Sequence, residues 1–215
     1  MPIRILIADD HTILRQGLKY ILTQTPDFEV VAEASSGMEA VEQATKWKPD
    51  VAIMDIAMKE LNGIEATRQL QRASPGTAVL VLSMYADEPY VIRATKAGAR
   101  GYLLKDSIEE DLLQAVRTVH SGQSFFSPFI AKILLEGYAR GLNGKQVEDR
   151  YELLTARERQ IYQLLAEGKS NKELAHMLNL SVHTVETHRI RVMEKMDVHS
   201  AAELVLSAVR RGLVR

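Results

Sequence analysis

Acidic, hydroxyl and basic side chains stand where separate apolar runs of this sequence end. Asp9 and Asp10 follow IRILIA, Asp55 ends VAIMD, Ser83 ends AVLVLS and Lys105 ends GYLLK. Three carboxylates gathered in one pocket repel one another, at about 1 to 4 kcal/mol per pair at 4 Å, and a divalent cation removes that cost. Mg²⁺ fits this role because it binds a few carboxylates together with water and phosphate oxygens.

Asp55 is the candidate phosphoryl acceptor of this set. A carboxylate can attack phosphorus and form an acyl phosphate. Ser83 could donate a hydrogen bond to one phosphoryl oxygen, and Lys105 could pair with another. The pattern therefore predicts phosphoryl transfer to Asp55 with Mg²⁺ as the cofactor. We interpret His11 as a residue at the start of a helix rather than as a phosphate acceptor.

Alternating strands and helices are predicted to bring these groups together. Up to about residue 120, five short apolar runs alternate with five longer segments of helical period. Parallel neighbouring strands need helical crossovers, so this order predicts an α/β domain with a parallel sheet covered on both faces. Ligands bind at the carboxyl ends of such strands, where we expect the reactive groups to form one pocket. The predicted strands are IRILIAD, EVVAEAS, VAIMD, AVLVLS and GYLLK.

A linker and a small all-α domain of four helices are predicted to follow. Residues 123–149 include a short helix that begins after Ser127, and then the polar stretch RGLNGKQVEDR. Residues 150–215 have helical patterns throughout, and four helix starts are marked in the sequence. Three are capping-box patterns and one is a single N-cap: Thr155 with Glu158, Ser170 with Glu173, Ser200 with Glu203, and Ser181.

Composition limits the classes of function. The 215 residues include no cysteine, which excludes disulfides, thiolate metal sites and cysteine nucleophiles. No window approaches the ~20 apolar residues that cross a bilayer, and the N-terminus lacks a signal-peptide core. We therefore expect a cytoplasmic protein without a membrane partner. The formal net charge of -1 gives no global attraction to nucleic acid, so DNA binding would need a local basic surface.

Motifs in residues 1–122 resemble the receiver domain of bacterial two-component response regulators. These motifs are ADDH, MDIAMKELNG, LVLSMYAD and GYLLKD, in this order and spacing. The resemblance implies a flavodoxin-like, five-stranded sheet of order 2-1-3-4-5 and phosphorylation of Asp55 by a cognate histidine kinase. It also implies Mg²⁺ ligation by Asp10, Asp55 and the backbone carbonyl of Ala57, with Asp9 acting mostly through water.

The resemblance assigns switch roles to two further residues. Ser83 takes the switch hydroxyl position and Tyr102 the switch aromatic position. A phosphoryl group would draw Ser83 inward, and Tyr102 would follow into the vacated space. Lys59 differs from the family, which usually has proline at this position. We expect the difference to affect the rigidity of the loop and to leave the metal ligands unchanged.

Two alternative functions compete with phosphorylation-dependent signalling. A phosphatase with Asp55 as nucleophile would usually need a further acid two residues later, where this chain has Ala57. A receiver that acts as a phosphorylation-independent interaction module would keep the same architecture, yet the acceptor, the hydroxyl and the lysine are all present. We therefore expect no enzyme activity apart from phosphorylation and dephosphorylation of the receiver itself.

Residues 150–215 resemble the helix-turn-helix domain of LuxR-type transcription regulators. The matching elements are LTARE, EGKSNKELA, LS, HTVETH and EKM. Joined to a receiver, this domain implies the NarL/FixJ class of response regulator and binding to double-stranded promoter DNA. Val182 to Met196 is the predicted reading helix, with Val185, Val192 and Met196 on the face that packs inward.

Outward side chains of the reading helix are the candidate DNA contacts. Glu186 could accept a hydrogen bond from cytosine N4 and Ile190 could touch a thymine methyl group, but both could equally face solvent or a neighbouring helix. Hydroxyl and basic groups near the helix ends are expected to hold phosphates. The full candidate set is Lys172, Thr184, Glu186, Thr187, Arg189, Ile190, Arg191 and Lys195.

Phosphorylation is expected either to release the reading helix from the receiver or to favour a homodimer. Two reading helices spaced to match DNA half-sites add their binding energies. The segment AAELVLSAVRRGLV has an apolar face that could form the dimer contact or could cover its own helical bundle.

Overall fold

The chain forms two compact units. The computed structural model describes residues 1–84, 86–142 and 149–214. The units are Met1–Met58 with Asn62–Lys145, and Lys59–Leu61 with Gln146–Arg215. Residues 143–148 of the predicted linker lie outside the described residues. Within the described ranges, no helix has the length and apolar character needed to cross a membrane.

A parallel sheet forms the centre of the first unit. Its strands lie in the order β2-β1-β3-β4-β5-β6, and every neighbouring pair is parallel. The strands are β1 Ile3–Ala8, β2 Phe28–Ala34, β3 Val51–Asp55, β4 Ala78–Ser83, β5 Gly101–Leu104 and β6 Phe125–Phe126. The predicted α/β class and the flavodoxin-like order of the first five strands are confirmed.

The two-residue strand β6 corrects the prediction, which assigned these residues to a linker and gave the sheet five strands. Phe125 pairs with Gly101 and Phe126 with Tyr102, both in β5. Two residues are too few to show the alternation by which a strand is recognised, so only the contact with β5 identifies it.

Six α-helices lie within the described residues of the first unit. They are α1 Thr12–Thr23, α2 Gly37–Trp47, α3 Gly63–Ala73, α4 Glu88–Lys96, α5 Ile108–His120 and α6 Pro128–Leu142. Strands β3 and β4 are buried along their whole length, as expected for parallel strands that helices cover on both faces. The helix α6 begins at Pro128 as predicted and is longer than the short helix expected.

Four helices follow a 3₁₀ turn at Arg150–Leu153 in the second unit. They are α7 Ala156–Ala166, α8 Asn171–Leu178, α9 Val182–Met196 and α10 Ala201–Arg210. Val185, Val192 and Met196 are buried, as predicted for the inner face of α9. The predicted four-helix domain is therefore confirmed, including the bounds of the reading helix.

Side-chain caps mark the predicted helix starts of the second unit. Complete capping boxes form at two of them: Thr155 with Glu158 at α7, and Ser170 with Glu173 at α8. Ser181 caps α9. Ser200 caps α10, but the Glu203 carboxylate accepts its hydrogen bond from the backbone of His199 rather than from Ser200. The third predicted box is therefore incomplete.

Candidate functional site

Three strand ends place acidic and basic groups at one edge of the sheet. Asp9 directly follows β1, Asp55 is the last residue of β3, and Lys105 directly follows β5. Because the strands are parallel, their carboxyl ends meet at the same edge. Lys105 Nζ lies 2.8 Å from Asp9 Oδ2 and 3.2 Å from Asp55 Oδ2. The ammonium group therefore joins two carboxylates that come from different strands.

Burial dominates the electrostatics of Asp55. Its side chain is 3% exposed, and that of Asp9 is 1% exposed. Burial raises the pKa of Asp55 above its ordinary value; Lys105 acts against this rise, while the charges of Asp9 and Asp10 add to it. The ionised form of Asp55 is therefore costly in the folded protein, and positive charge brought to this carboxylate offsets that cost.

Two carboxylate oxygens of the cluster accept no hydrogen bond from any residue that the structure describes. They are Asp10 Oδ1 and Asp55 Oδ2; both are buried, and their charged neighbours, His11 Nδ1 at 2.9 Å and Lys105 Nζ at 3.2 Å, do not meet them with regular hydrogen-bond geometry. Asp9, Asp10, His11 and Asp55 each offer one ligand atom, and these four atoms lie within 4.8 Å of one another. Buried acceptors without donors are unfavourable unless a cation or a donor reaches them. This set of donors therefore fits a hard divalent cation such as Mg²⁺.

The two predicted switch residues lie in adjacent strands of the core. Ser83 ends β4, Tyr102 lies in β5, and both side chains are fully buried. Burial raises the pKa of Tyr102, and its hydroxyl shares a hydrogen bond with Ser83, so the phenol is neutral. The sequence led us to expect an inward movement of Tyr102 upon phosphorylation. In this structure its ring already lies inside.

Gly63 supports the acceptor loop, a role that was not among the predictions from sequence. A Cβ at Gly63 would lie 1.9 Å from the backbone oxygen of Asp55, so a larger residue displaces that backbone. Asn62 begins α3 by accepting a hydrogen bond from the backbone of Glu65. The Asn-Gly pair in MDIAMKELNG is the signal by which sequence analysis could have found this position. Ala57 lies in the same loop, and its carbonyl as a metal ligand remains a prediction.

His11 has a second role in addition to the predicted one at a helix start: its side chain contacts the carboxylates of Asp9 and Asp10. It directly precedes α1, as predicted. Its Nδ1 is 3.1 Å from Asp9 Oδ1 and 2.9 Å from Asp10 Oδ1, and its side chain is 48% exposed. Its position directly after the acidic pair, in the motif ADDH, was the available signal.

Helices α8 and α9 form the helix-turn-helix, and α9 carries most of the predicted DNA contacts. Four candidates are exposed and three are partly exposed: Lys172, Glu186, Ile190 and Arg191, followed by Thr184, Thr187 and Arg189. Ile190 is 58% exposed, which is high for a large apolar side chain and suits a contact with a base methyl group. These assignments to DNA remain predictions.

Lys195, the eighth candidate, is engaged inside the domain. Its Nζ lies 2.7 Å from Oε2 of Glu158, whose side chain is 4% exposed. Burial raises the pKa of Glu158, but hydrogen bonds from Lys195 and Thr155 outweigh that effect and the pKa is lowered overall. Lys195 therefore stabilises the start of α7, and a phosphate contact would have to compete with this ion pair.

Comparison with known proteins assigns families to both parts of the chain. Residues 5–117 match the family described as response regulator receiver domain, and residues 152–208 match bacterial regulatory proteins, luxR family. The chain is 40% identical to the transcriptional regulatory protein DegU of Brevibacillus brevis, over 99% of this chain and 95% of that protein.

Solved structures of full-length response regulators are similar as well. The response regulator ChrA of a heme-sensing two-component system shares 36% identity, with a TM-score of 0.53 and 99% of each chain covered. A structure of two RcsB dimers bound to two parallel DNAs shares 25% identity, with a TM-score of 0.58, and covers 97% of this chain and 100% of that one. This chain therefore belongs to the NarL/FixJ class of response regulators, DNA-binding transcription regulators that join a receiver domain to a LuxR-type helix-turn-helix domain.

Proposed function

We propose that this regulator is switched by phosphorylation of Asp55, with Mg²⁺ as the cofactor and a cognate histidine kinase as the phosphoryl donor. The observation that supports this most directly is the position of Lys105 Nζ, 2.8 Å from Asp9 and 3.2 Å from Asp55. Asp55 Oδ2 meanwhile accepts no hydrogen bond from the described residues. A buried carboxylate oxygen beside an ammonium group is suited to attack phosphorus.

The side chains of the pocket would divide the transfer between them. Asp55 Oδ2 forms the new bond to phosphorus, and the bond from phosphorus to the donor's imidazole nitrogen breaks, leaving the electron pair on that nitrogen. The other oxygen, Asp55 Oδ1, accepts a hydrogen bond of 2.9 Å from the backbone of Ile56, which fixes the orientation of the carboxylate. Lys105 pairs with one phosphoryl oxygen, and the Ser83 hydroxyl donates to another.

The carboxylates at the strand ends would bind the metal ion. Asp10, Asp55 and the Ala57 carbonyl would hold Mg²⁺, with Asp9 acting through water. When bound, the ion supplies positive charge to the phosphoryl oxygens. The positions of Asp9, Asp10 and Asp55 support this assignment, because each offers a ligand atom within 4.8 Å of the others.

Signal transmission would begin at the hydrogen bond between Ser83 and Tyr102. A phosphoryl group adds about -1.5 to -2 charges to the pocket. A Ser83 hydroxyl that turns to donate to this group changes its hydrogen bond with the Tyr102 hydroxyl. Because Tyr102 is fully buried, its hydroxyl must find a new partner, and the packing between β4 and β5 adjusts.

The output would be binding of double-stranded promoter DNA by α9 in a phosphorylation-favoured homodimer. The dimers in the RcsB–DNA structure support this proposal, as does the exposure of Glu186, Ile190 and Arg191 on one helix. Two copies of α9 add their contacts when they match two half-sites. We place this activity in the cytoplasm, where promoter DNA lies.

Phosphorylation of the purified full-length protein with acetyl phosphate and Mg²⁺ tests the proposal. We expect a slower-migrating Phos-tag band for the wild type and none for Asp55→Asn. The same samples, mixed with a pool of random DNA duplexes, are expected to enrich a common sequence more strongly after phosphorylation. A wild type without the band that still selects the same DNA would show that the receiver acts as a phosphorylation-independent interaction module.

A further inference from the structure

His11 occupies a helix N-cap without acting as one. Helix α1 begins at Thr12, and the His11 side chain makes no hydrogen bond to the backbone of the first turn. Ser, Thr, Asp and Asn are favoured at this position because their side chains make that bond. The imidazole instead turns back toward the acidic pair. The His11 side chain therefore contacts Asp9 and Asp10 instead of capping α1.

The distances from the imidazole match those between adjacent ligands of an octahedral metal ion. His11 Nδ1 lies 2.9 Å from Asp10 Oδ1 and 3.1 Å from Asp9 Oδ1. With metal–ligand bonds of about 2.1 Å, adjacent octahedral ligands are roughly 3.0 Å apart, whereas tetrahedral ligands are roughly 3.4 Å apart. The His11 nitrogen therefore lies at a distance from each carboxylate oxygen that suits neighbouring ligands of one octahedral cation.

An independent observation also points to a cation at this place. Asp55 is 97% buried, and no described residue donates a hydrogen bond of regular geometry to its Oδ2, although Lys105 Nζ lies 3.2 Å away. Asp10 Oδ1 likewise accepts no regular hydrogen bond from the described residues, with His11 Nδ1 2.9 Å away. The ligand atoms of Asp9, Asp10, His11 and Asp55 all lie within 4.8 Å of one another. The His11 side chain is 48% exposed, which leaves a route from solvent to this group of atoms.

We propose that His11 is a nitrogen ligand that makes this acidic pocket selective for octahedral first-row transition-metal cations, such as Ni²⁺ and Co²⁺, over Mg²⁺. The inference rests on the proposed receiver function, because the same carboxylates would hold either ion. Mg²⁺ takes oxygen ligands and gains little from an imidazole. Ni²⁺ and Co²⁺ bind imidazole well and bind mixed nitrogen and oxygen sites more tightly than Mn²⁺ does.

His11 contacts Asp9 through its backbone as well as through its ring. The backbone N–H of His11 already donates to Asp9 Oδ1 at 2.8 Å, and Nδ1 approaches the same oxygen at 3.1 Å. The His11 nitrogen is the one ligand atom of the group Asp9, Asp10, His11 and Asp55 that is not an oxygen, so it is the atom that can distinguish the two kinds of cation.

Titration calorimetry with Ni²⁺ and with Mg²⁺ on the tag-free, full-length protein tests the selectivity. The variants are His11→Ser, which restores a favoured N-cap and so preserves folding, and His120→Ser as a matched histidine control in the same unit. We expect the ratio of Ni²⁺ to Mg²⁺ affinity to fall about 10- to 100-fold in His11→Ser and to stay unchanged in His120→Ser. An equal ratio in all three proteins overturns the proposal.

Electron spin echo spectroscopy of bound Mn²⁺ gives a readout that does not depend on affinity. Coupling to an imidazole ¹⁴N is expected in the wild type and in His120→Ser, and it should disappear in His11→Ser. Absence of this coupling in the wild type, or its persistence in His11→Ser, also overturns the proposal. Phosphorylation of the wild type with acetyl phosphate and Mg²⁺ is measured in parallel, so failure of the receiver chemistry is distinguished from failure of the nitrogen ligand.

Discussion

Asp55→Asn should stabilise the receiver unit in the absence of metal, although it removes the proposed phosphoryl acceptor. Asparagine has nearly the same shape as aspartate, and its amide oxygen can keep the 2.9 Å hydrogen bond from the backbone of Ile56. The substitution therefore removes one buried negative charge and little else. Lys105 retains Asp9 as a partner at 2.8 Å, so its ammonium group stays compensated.

The size of this effect follows from the distances around Asp55. At an effective dielectric constant of about 20, attraction to Lys105 at 3.2 Å contributes about 5 kcal/mol. Repulsion from Asp9 and Asp10, with ligand atoms within 4.8 Å, costs about 3.5 kcal/mol for each. Attraction and repulsion are thus of similar size, within about 2 kcal/mol of each other, and burial is the main reason why the pKa of Asp55 is raised.

The sign of the pH dependence follows from the same raised pKa. Between the ordinary value of 3.8 and the higher value in the folded protein, the folded state binds more protons at Asp55 than the unfolded state does. Wild-type stability from this group therefore falls as pH rises through that window, and Asp55→Asn is free of this loss. The advantage of the variant should be full above the raised pKa of the folded state and should shrink as pH falls from there toward 3.8.

Trp47, the single tryptophan of the chain, lies at the end of α2 in the receiver unit and is 42% exposed, so its fluorescence reports the unfolding of that unit. In EDTA at pH 7.5, we expect Asp55→Asn to unfold about 4 to 8 °C above the wild type. Millimolar Mg²⁺ should narrow the difference, because an ion bound to the folded state stabilises the protein that has the complete ligand set. A variant that melts at or below the wild type in EDTA, or a gap that grows in acid, would refute the electrostatic argument.

Three further substitutions test other parts of the structure. Gly63→Ala should destabilise the receiver unit by about 2 to 3 kcal/mol and reduce phosphorylation, because the added Cβ would overlap the backbone of Asp55. The matched control is Gly17→Ala, whose Cβ would meet nothing within 4 Å. This control should be neutral or stabilising in the same thermal melts. Lys195→Ala should destabilise the helix-turn-helix unit by about 1 to 2 kcal/mol after allowance for solvent screening, because Glu158 is buried, and circular dichroism melts would show no change if the pair is only incidental. Arg191→Ala should leave the melting curve unchanged and weaken DNA binding, with the salt dependence reduced by about one unit of slope; an unchanged slope would remove Arg191 from the phosphate contacts.

The fold of the receiver could be predicted because its local and long-range signals agree. Each apolar run is a strand of the predicted kind, and parallel pairing puts the ends of β1, β3 and β5 at one edge without any knowledge of distances. The starts of the capped helices in the second unit could be predicted equally well, because an acidic partner follows Thr155 and Ser170 at a distance of three residues. Short-range patterns of this kind depend only on neighbouring residues.

The features that sequence did not reveal depend on contacts between distant segments. Strand β6 exists because two residues pair with β5, and their own sequence carries no period. Gly63 matters through the backbone oxygen of Asp55, eight residues earlier, which no propensity describes. Lys195 was assigned to DNA because it is basic and near the reading helix, yet Glu158 lies 2.7 Å away across the bundle.

The charge balance of the receiver pocket shows why stability and function diverge at this site. One ammonium group, Lys105, faces the carboxylates of Asp9, Asp10 and Asp55, so the pocket keeps a net negative charge where burial makes that charge unfavourable. A fold selected for stability alone would have an amide at position 55 or a second cation nearby. An amide at position 55 would also remove the oxygen that accepts phosphorus and the charge that attracts a metal ion. The unfavourable burial of a charged Asp55 is therefore the direct physical consequence of keeping this residue reactive.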